Sequence, residues 1–395
     1  MFMLKIKTTV NSILRDYKEE YSSKYYMSNY DKKIANTIIS CRTEKLGGRV
    51  ETCDHCGHTR TLYNSCRNRH CPQCQSMKKE QWIIDRKSEV LPFQYFHSVF
   101  TVPEELNPLI KRNKKKLYKL FFDMLNKTLQ EVSESEKHLN AKIGFFSILH
   151  TWGQKLNFHP HIHCVIPGGG KKKDGSWKNA PKDFLLPIDA LKKQFRYNFI
   201  TELRKMHKEK ELNTNGTSFD NKVVFEKFTE KLFTKEWVVF LKETFNNHES
   251  VIEYLSRYTH RIAISNYRII ELKDGRVYFK YKDYKDNNKV KTHDLPVMEF
   301  IQKFLMHILP KRFVRIRYYG LLSHRNKSEN IEECYAFYKK KMKKKEAKKS
   351  YRELFKIVTG KDTCTCPMCK SGSMVTTKKI VPNYSHRGPP VRNVS

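Results

Sequence analysis

Residues 150–163, which read HTWGQKLNFHPHIH, carry histidines at alternate positions. On an extended strand alternate side chains share one face, so His159, His161 and His163 point one way while Ile162 points into a core. Imidazoles two residues apart on such a face are about 7 Å apart, close enough to bind one ion. A lone histidine is usually a hydrogen-bonded core or surface group, whereas three on one face indicate a metal site.

The run GFFSILHTW at 144–152 is a second β-rich segment, so a neighbouring strand could bring His150 to the same ion. The residues leave His150 and His159 open as the third ligand beside His161 and His163. Histidine ligands suit zinc, whereas an open site that also binds water and phosphate oxygens suits Mg²⁺ or Mn²⁺ acting on a nucleic acid.

Cysteines form a second metal-binding pattern, CDHCGHTRTLYNSCRNRHCPQC, at 53–74. Two C-x-x-C pairs at this separation have zinc-ligand spacing, and redox dithiols are the weaker alternative. We predict that one structural zinc ion is bound by Cys53, Cys56, Cys71 and Cys74. Further residues that could bind zinc are Cys66, His70, Cys364, Cys366 and Cys369.

Two tyrosines supply a candidate nucleophile. Ser250 and Glu253 form a capping box, which predicts a helix that begins there and runs to about Tyr258. Tyr254 and Tyr258 then lie about 6 Å apart on one helix face, flanked by Arg257 and Arg261. Paired aromatics usually pack a helix onto a sheet, but beside a histidine metal site and a large positive charge we interpret these residues as catalytic.

Composition indicates the substrate. Lys+Arg 77 against Asp+Glu 41 gives a net charge of +36 over 395 residues, which favours a polyanion, either nucleic acid or an anionic membrane. The sequence shows no transmembrane span and no signal peptide, so we expect nucleic acid, no membrane partner and a cytoplasmic, nucleoid-associated protein. The 11 cysteines, clustered in C-x-x-C pairs, favour thiolate metal ligands over disulfides.

Basic and aromatic residues interleave in the run PKRFVRIRYYG, as in a surface that contacts phosphates and stacks on bases. The arginines that lie between the cysteines of 53–74 could also bind DNA phosphates. The candidate DNA-binding residues are Arg67, Arg69, Arg315, Arg317, Tyr318 and Tyr319.

The elements that would position these residues are both helices and strands. We predict strands at 94–103 and 237–245, and short strands with one helix over 262–325. Helices are expected over much of 11–45, 105–138 and 187–235, and in the lysine-rich run 338–349. The fold class is therefore α+β.

Several blocks resemble a known family. YNSCRNRHCPQCQ, YFHSVFTVP, LHTWGQKLNFHPHIHCVIPGGG, YLSRYTHRIAISNYRI and LPKRFVRIRYYG are similar, in order over about 12–325, to rolling-circle transposases of the insertion sequence 91 family. These belong to the superfamily of histidine-hydrophobic-histidine (HUH) single-strand endonucleases. The resemblance implies an antiparallel-sheet nuclease palm flanked by helices, with a small N-terminal zinc-binding module.

The resemblance also implies a function: a DNA transposase that nicks and rejoins single-stranded DNA, at transposon ends and target site, through a 5′-phosphotyrosine. His161 and His163 match the two-histidine motif, and Tyr254 and Tyr258 match the paired tyrosines. Relaxases commonly place a third histidine where His150 stands. The implied cofactors are structural Zn²⁺ and catalytic Mg²⁺ or Mn²⁺. No phosphate-binding loop of the G-x-x-x-x-G-K-[ST] type is present, so a host helicase would unwind the DNA.

The blocks divide the chain into three ranges. A helical segment with the zinc-binding module covers 1–90, the nuclease domain covers 91–325, and a basic C-terminal segment with CTCPMC and a disordered tail covers 326–395. Three alternative functions remain: a plasmid replication initiator or relaxase with the same chemistry, a non-enzymatic zinc-binding DNA-binding regulator, and a metal-dependent RNA-binding protein.

Overall fold

The computed structural model of this protein describes residues 8–245, 262–342 and 346–383, without the side chains of 75–78 and 244–245. The α-helices, in chain order, are α1 (Val10–Lys24), α2 (Asn29–Ile39), α3 (Gln75–Lys87), α4 (Asn107–Arg112), α5 (Lys114–Glu134), α6 (Ile188–Lys208), α7 (Lys222–Thr234), α8 (Val297–Met306), α9 (Lys327–Phe337) and α10 (Tyr351–Thr359). The strands are β1 (Gly48–Cys53), β2 (Thr59–Tyr63), β3 (Tyr95–Thr101), β4 (Lys142–Trp152), β5 (Phe158–Pro167), β6 (Gly169–Lys171), β7 (Trp177–Asn179), β8 (Val238–Phe245), β9 (Ile269–Lys273), β10 (Arg276–Asp283), β11 (Lys289–Pro296), β12 (Ile316–Gly320) and β13 (Met374–Ile380). Short 3₁₀ helices cover Glu44–Leu46, Glu104–Leu106, Ser218–Asp220 and Asn266–Arg268.

The largest sheet places the histidine-bearing strands at its centre. Its order is β7-β6-β4-β5-β3-β8, with β12 also paired to β4, and its strand pairs are antiparallel. The expected α+β class with an antiparallel sheet flanked by helices is confirmed. None of the helices in the described ranges has the length and apolarity needed to cross a lipid bilayer.

Helices cover one face of this sheet. On β5, Ile162 and Ile166 are fully buried and belong to the same apolar cluster as Phe121 and Leu125 of α5 and Phe195 of α6. The helical spacing of the apolar residues on α5 lines them up along one side, and the two-residue period of β5 sends alternate side chains to meet them. The opposite face of β5 is therefore left for the histidines.

α3 packs on part of that opposite face. Ile83 clusters with Ile148 and Val165, and the rings of Trp82 and Phe146 meet edge to face with 5.8 Å between centroids. Phe146 and Ile148 lie on the same side of β4 as the residue two positions further on, His150. α3 thus covers one end of a face whose other end carries histidines.

The N-terminal helices pack against a second sheet of order β11-β10-β9. Ile13 of α1 and Ile38 of α2 share a buried cluster with Phe279 of β10 and Phe300 of α8. Trp152, at the end of β4, belongs to the same cluster. This cluster therefore extends from the N-terminal helices to the end of a strand of the large sheet.

A third sheet joins the two ends of the chain. Its order is β13-β1-β2, and β13 pairs antiparallel with β1, from Gly48 opposite Ile380 to Cys53 opposite Met374. The C-terminal segment, which the sequence placed in a range of its own, is thus bonded through its backbone to the N-terminal module.

The lysine-rich run does not form the helix predicted for 338–349. α9 ends at Phe337, Lys339 adopts a left-handed φ of 49°, and the described residues 340–342 and 346–349 have no helical structure. Lysines at helical i, i+3 and i+4 spacing repel each other, which disfavours a helix without opposite charges. The predicted disordered tail, GPPVRNVS, lies outside the described residues.

Ile162 tests how much the buried face stabilises the sheet. Its side chain is fully buried, so Ile162→Ala leaves a cavity and is expected to lower the free energy of unfolding by about 2–5 kcal/mol, against about 0.5–1.5 kcal/mol for Ile162→Val. Chemical unfolding measures both. Val290→Ala is the control, because this β11 side chain is 61% exposed; equal losses for Ile162→Ala and Val290→Ala would contradict the assignment.

Candidate functional site

Three histidines converge on adjacent antiparallel strands. His150 of β4 pairs directly with His161 of β5, so the two side chains share a face, and His163 follows two residues later on the same face. One ring nitrogen of each lies within 4.8 Å of the others. We call His150, His161 and His163 the histidine group. The structure thus brings His150, and not His159, to the pair.

A tight turn and a β-bulge together set this strand register. The chain reverses over 153–157, where Gly153 N–H donates to the Asn157 carbonyl at 3.0 Å and Leu156 adopts a left-handed φ of 60°. A side chain at Gly153 would collide with the Asn157 carboxamide. Glycine at this position therefore allows the turn, and a β-bulge between His150 and Trp152 then shifts the register by one residue, from Trp152 opposite Phe158 to His150 opposite His161.

Hydrogen bonding fixes the tautomer of His161. Its Nδ1 lies 2.7 Å from the His159 carbonyl oxygen. A carbonyl only accepts, so Nδ1 carries the proton and Nε2 keeps the lone pair that a metal ion needs. His159 thus contributes its backbone to the site while its own side chain is exposed.

His97 on β3 supports the group from behind. Its Nε2 lies 2.9 Å from Nδ1 of His163, and burial lowers the pKa of His97 to about 4, so this ring is neutral at physiological pH. If His163 donates from Nδ1 to His97, its Nε2 is left with a lone pair. His97 was not among the predicted site residues. The signal was its position in YFHSVFTVP, two residues before Val99, which pairs with His163.

Trp152 and His307 pack behind His150. The Trp152 ring stacks on His150 with 4.6 Å between centroids, and His150 is 2% exposed. Nε2 of His307 donates to the Leu156 carbonyl at 3.2 Å, so its Nδ1 accepts from the Thr151 hydroxyl at 3.1 Å. This buried network fixes the end of β4 that carries His150.

The cysteines form two groups of four rather than the single group that was predicted. The first thiol group is Cys41, Cys66, Cys71 and Cys74. The second thiol group is Cys53, Cys56, Cys366 and Cys369. The predicted grouping was wrong because C-x-x-C spacing places two sulfurs beside one ion but does not say which distant pair completes the site.

The first thiol group fits a zinc ion. Sγ of Cys74 lies 3.4 Å from that of Cys41 and 3.6 Å from that of Cys66, and four sulfurs about 2.3 Å from one zinc ion would lie about 3.8 Å apart. Backbone N–H of Cys66 points at Sγ of Cys41 from 3.4 Å. Cys41 was missed because it stands outside any C-x-x-C pair.

His70 and Cys364, which were possible zinc ligands, lie outside both groups. Arg69 Nε lies 3.3 Å from Nε2 of His70, and burial lowers the pKa of His70 to about 3. Sγ of Cys364 accepts from the Arg352 guanidinium at 3.3 Å. Both side chains are engaged by arginines instead.

Comparison with known proteins decides the family. A family model described as "Transposase zinc-binding domain" matches residues 13–102, and one described as "Putative transposase" matches residues 144–330. The chain is 41% identical over 374 residues to "Putative transposase y4qJ" of Sinorhizobium fredii, covering 93% of this chain and 94% of the relative. The chain belongs to the insertion sequence 91 family of transposases.

A second relative is more distant. The chain is 26% identical over 352 residues to the transposase for insertion sequence element IS801 of Pseudomonas savastanoi pv. phaseolicola, with coverage of 87% of this chain and 82% of that protein. No solved structure matches the chain. The expected zinc-binding module of this transposase is supported by both the family model and the first thiol group.

The four predicted catalytic residues of the transposase, Tyr254, Arg257, Tyr258 and Arg261, lie outside the described residues. The chain is described again from Ile262, which lines a cavity together with Trp152, His307, Arg69 and Arg315. Ile262 therefore lies beside the tryptophan that stacks on His150.

Among the predicted DNA-binding residues, two arginines contact that cavity. Arg69 donates to the carbonyls of Phe313 and Pro310 at 2.5 and 2.8 Å, so it ties the zinc-binding module to the loop before β12. Burial, together with Arg69, lowers the pKa of Arg315 to about 10. Arg67 adopts a left-handed φ of 51° between the cysteines.

The other three lie on β12. The Arg317 guanidinium lies 4.3 Å from the centre of the Phe122 ring, and the rings of Tyr319 and Phe145 are 5.1 Å apart. The Tyr318 hydroxyl accepts from Arg86 at 3.2 Å. Each of these side chains has a protein contact, so their role in DNA binding stays a prediction.

His307 makes the stability of this transposase depend on pH. Burial lowers the pKa of His307 from its ordinary value of 6.5 to about 3. As the pH falls below 6.5, His307 takes up a proton in the unfolded chain but stays neutral in the folded chain. The free energy of unfolding therefore falls. His307→Gln is expected to flatten this dependence by about one proton. Unfolding measured across this pH interval tests it, with exposed His324→Gln as the control; an unchanged slope in His307→Gln would contradict it.

Proposed function

We propose that this transposase nicks and rejoins single-stranded DNA through a 5′-phosphotyrosine intermediate. The observation that carries the proposal is the histidine group, in which His150, His161 and His163 converge on the face of the sheet that the large helices leave free. Zinc-site cysteines and positive charge alone would suit a DNA-binding regulator, but such a regulator has no need of three convergent imidazoles.

The donor set fits a divalent cation. His161 holds Nδ1 in a hydrogen bond with the His159 carbonyl, which directs its Nε2 to an ion. Nδ1 of His163 lies 2.9 Å from Nε2 of His97, a ring that burial keeps neutral, and donation from His163 to His97 would leave Nε2 of His163 for the ion. Three protein ligands leave positions for water and phosphate oxygens. A Mg²⁺ or Mn²⁺ ion held by the group would supply Lewis acidity at the scissile phosphate.

We assign the nucleophile to Tyr254 or Tyr258. The tyrosine oxygen bonds to phosphorus, the bond from phosphorus to the 3′ oxygen breaks, and the leaving 3′ oxygen takes a proton to become a 3′-hydroxyl. One phosphodiester replaces another, so no nucleotide cofactor is needed, and the reverse step joins a new strand. Two tyrosines allow one to hold a cleaved end while the other cuts.

The surroundings of Ile262 support this assignment. Tyr258 precedes Ile262 by four residues, at most about 14 Å of extended chain, and Ile262 lies beside Trp152. A phenol has a pKa of about 10, so cations must favour the phenolate. Arg257 and Arg261 are the candidates in the sequence, and Arg315 lines the cavity that Ile262 lines.

The remaining roles follow from the same chemistry. We propose that zinc at the first thiol group stabilises the N-terminal module, in which Cys41 and Cys71 also belong to the buried apolar cluster of α1 and α2. The partners are single-stranded DNA at the transposon ends and target site, and a host helicase that unwinds it. The protein acts on nucleoid DNA in the bacterial cytoplasm.

The decisive experiment is a search for the covalent adduct. The full chain is incubated with Mn²⁺ and a labelled single-stranded oligonucleotide that carries the element terminus, and a protein–DNA band that survives denaturation is expected. The band should be lost in the double variant Tyr254→Phe, Tyr258→Phe and in His161→Ala. The single tyrosine variants assign the order of attack.

Matched controls separate chemistry from folding. Tyr267→Phe changes a tyrosine that is 72% exposed, and His159→Ala keeps the backbone carbonyl that binds His161, so both should retain the band. Absence of the band from the unmodified protein on either terminus, together with tight metal-independent binding to duplex DNA, would favour the regulator instead.

His97 provides a test of metal positioning. His97→Phe removes the acceptor for His163 and is expected to weaken Mn²⁺ binding by about 10–100-fold. His97→Gln keeps an acceptor oxygen and should retain most of the affinity. Titration of the protein with Mn²⁺, followed by calorimetry, measures both; equal losses in the two variants would show that the hydrogen bond has no such role.

A further inference from the structure

The second thiol group combines residues from opposite ends of the chain. Cys53 and Cys56 end β1 and begin the turn to β2, whereas Cys366 and Cys369 lie in the turn that precedes β13. Sγ of Cys53 lies 3.7 Å from that of Cys369, and Sγ of Cys56 lies 3.7 Å from that of Cys366. These separations match the distance of about 3.8 Å expected between sulfurs around one zinc ion.

The two C-x-x-C turns have the same backbone structure. Gly57 N–H donates to the Cys53 carbonyl at 3.2 Å, and Lys370 N–H donates to the Cys366 carbonyl at 3.1 Å. The residue after each second cysteine is left-handed, with φ of 70° at Gly57 and 58° at Lys370. Two equivalent turns that face each other present four sulfurs to one point, as a tetrahedral metal ion requires.

Backbone N–H groups point at the sulfurs, as expected for thiolates. Those of His55 and Cys56 lie 3.4 and 3.5 Å from Sγ of Cys53, and that of Gly372 lies 3.4 Å from Sγ of Cys369. A Cβ at Gly372 would lie 2.5 Å from Sγ of Cys53. Glycine there allows the C-terminal turn to approach the N-terminal one this closely.

A disulfide interpretation does not fit these sulfurs. Bonded sulfurs lie about 2.05 Å apart, whereas the Cys53–Cys369 and Cys56–Cys366 sulfur pairs are each 3.7 Å apart and all four sulfurs lie within 4.8 Å of one another. Four convergent thiolates without imidazole or carboxylate select zinc or an iron–sulfur cluster. The single-ion spacing of the sulfurs favours zinc.

We propose that Cys53, Cys56, Cys366 and Cys369 bind a second zinc ion, which fastens the C-terminal arm to the N-terminal module. We define the C-terminal arm as residues 346–380. Half of the ligands therefore lie far beyond residues 13–102, which match the zinc-binding domain of the family. This ion is separate from the one at the first thiol group and takes no part in the proposed nuclease chemistry.

Little apolar packing surrounds the second thiol group, so the proposed zinc ion would have to stabilise the attachment of the C-terminal arm. Around the second thiol group the buried apolar cluster consists of Cys53, Cys366 and Met374, with Cys369 beside it. Such a small cluster buries too little area to order a strand and two turns by itself. Metal binding therefore provides most of the free energy that keeps β13 on β1.

Polar contacts and α10 add to the attachment. Glu51, which is 2% exposed, accepts hydrogen bonds from Arg49 and Arg60, and Arg60 also donates to the Thr363 carbonyl at 2.5 Å. Phe355 and Val358 of α10 line a cavity with Cys41 and Pro72. The C-terminal arm thus reaches from the second thiol group to the first, and loss of the second ion should free it.

Zinc counting on the purified full chain tests the proposal. The measurements use the His161→Ala background, so that the histidine group contributes no ion. Two zinc ions per chain are expected by elemental analysis. Cys366→Ser should lower the count to one, whereas Cys364→Ser, which changes a neighbouring cysteine outside both groups, should leave it at two.

Limited trypsin digestion reports on the arm itself. Lys370 lies within the C-terminal turn, so its peptide bond should resist cleavage in the zinc-loaded protein and become a cut site in Cys366→Ser.

The first thiol group provides a matched variant for the zinc count. Cys71→Ser, which removes a ligand of that group, should also lower the zinc count by one, and its combination with Cys366→Ser should lower the count to zero.

The zinc count of the parent His161→Ala protein, in which all the cysteines are intact, makes the proposal falsifiable even if a cysteine variant fails to fold. A count of one zinc ion in the His161→Ala protein, an unchanged count in Cys366→Ser, or iron with visible absorption in place of zinc would each overturn it. No DNA is present in these measurements. Their failure is therefore distinguishable from failure of the phosphotyrosine proposal.

Discussion

The pairing register of β4 with β5 is the constraint on which the site depends. Directly opposed residues of an antiparallel pair share a face, so one register places His150 beside His161 and leaves Ile162 for the core. A slip by one residue would turn the histidines into the apolar cluster under α5 and α6 and expose the isoleucine. The β-bulge between His150 and Trp152 sets the register that the histidines adopt, and the cost of burying imidazoles among phenylalanines disfavours the slipped one.

Two buried histidines beside the site are neutral within a strongly positive protein. His97 and His307 are held uncharged by burial, so these two rings add no positive charge beside the histidine group. The net charge of +36 comes from the excess of lysines and arginines over acidic residues, and it attracts a polyanion over long distances. The proposed function thus assigns attraction of the substrate to the lysines and arginines, and binding of the ion to the histidine group.

Local patterns predicted the parts of this structure that depend on local physics. The two-residue period placed His161 and His163 on one face, and apolar runs marked β3, β4 and β8. His97 was not predicted as a site residue because its contact with His163 depends on which strand lies beside β5. The neighbour of a strand cannot be read from the sequence of that strand alone. The choice of His150 over His159 needed the same information, together with the turn geometry at 153–157.

The grouping of the cysteines also depends on contacts between segments that are distant in sequence. C-x-x-C spacing correctly marks a pair of sulfurs that face one point, but the nearest pair in sequence is not the nearest pair in space. Cys53 and Cys56 meet Cys366 and Cys369 because β13 pairs with β1, a contact between residues more than three hundred positions apart. The closure of so long a loop costs conformational entropy, and β13 has mostly exposed side chains that recover little of it through apolar burial. The four metal–sulfur bonds proposed at the second thiol group, where this loop closes, would offset that cost. This accounts for the equivalent backbone structure of the two C-x-x-C turns, which lie in segments far apart in the sequence.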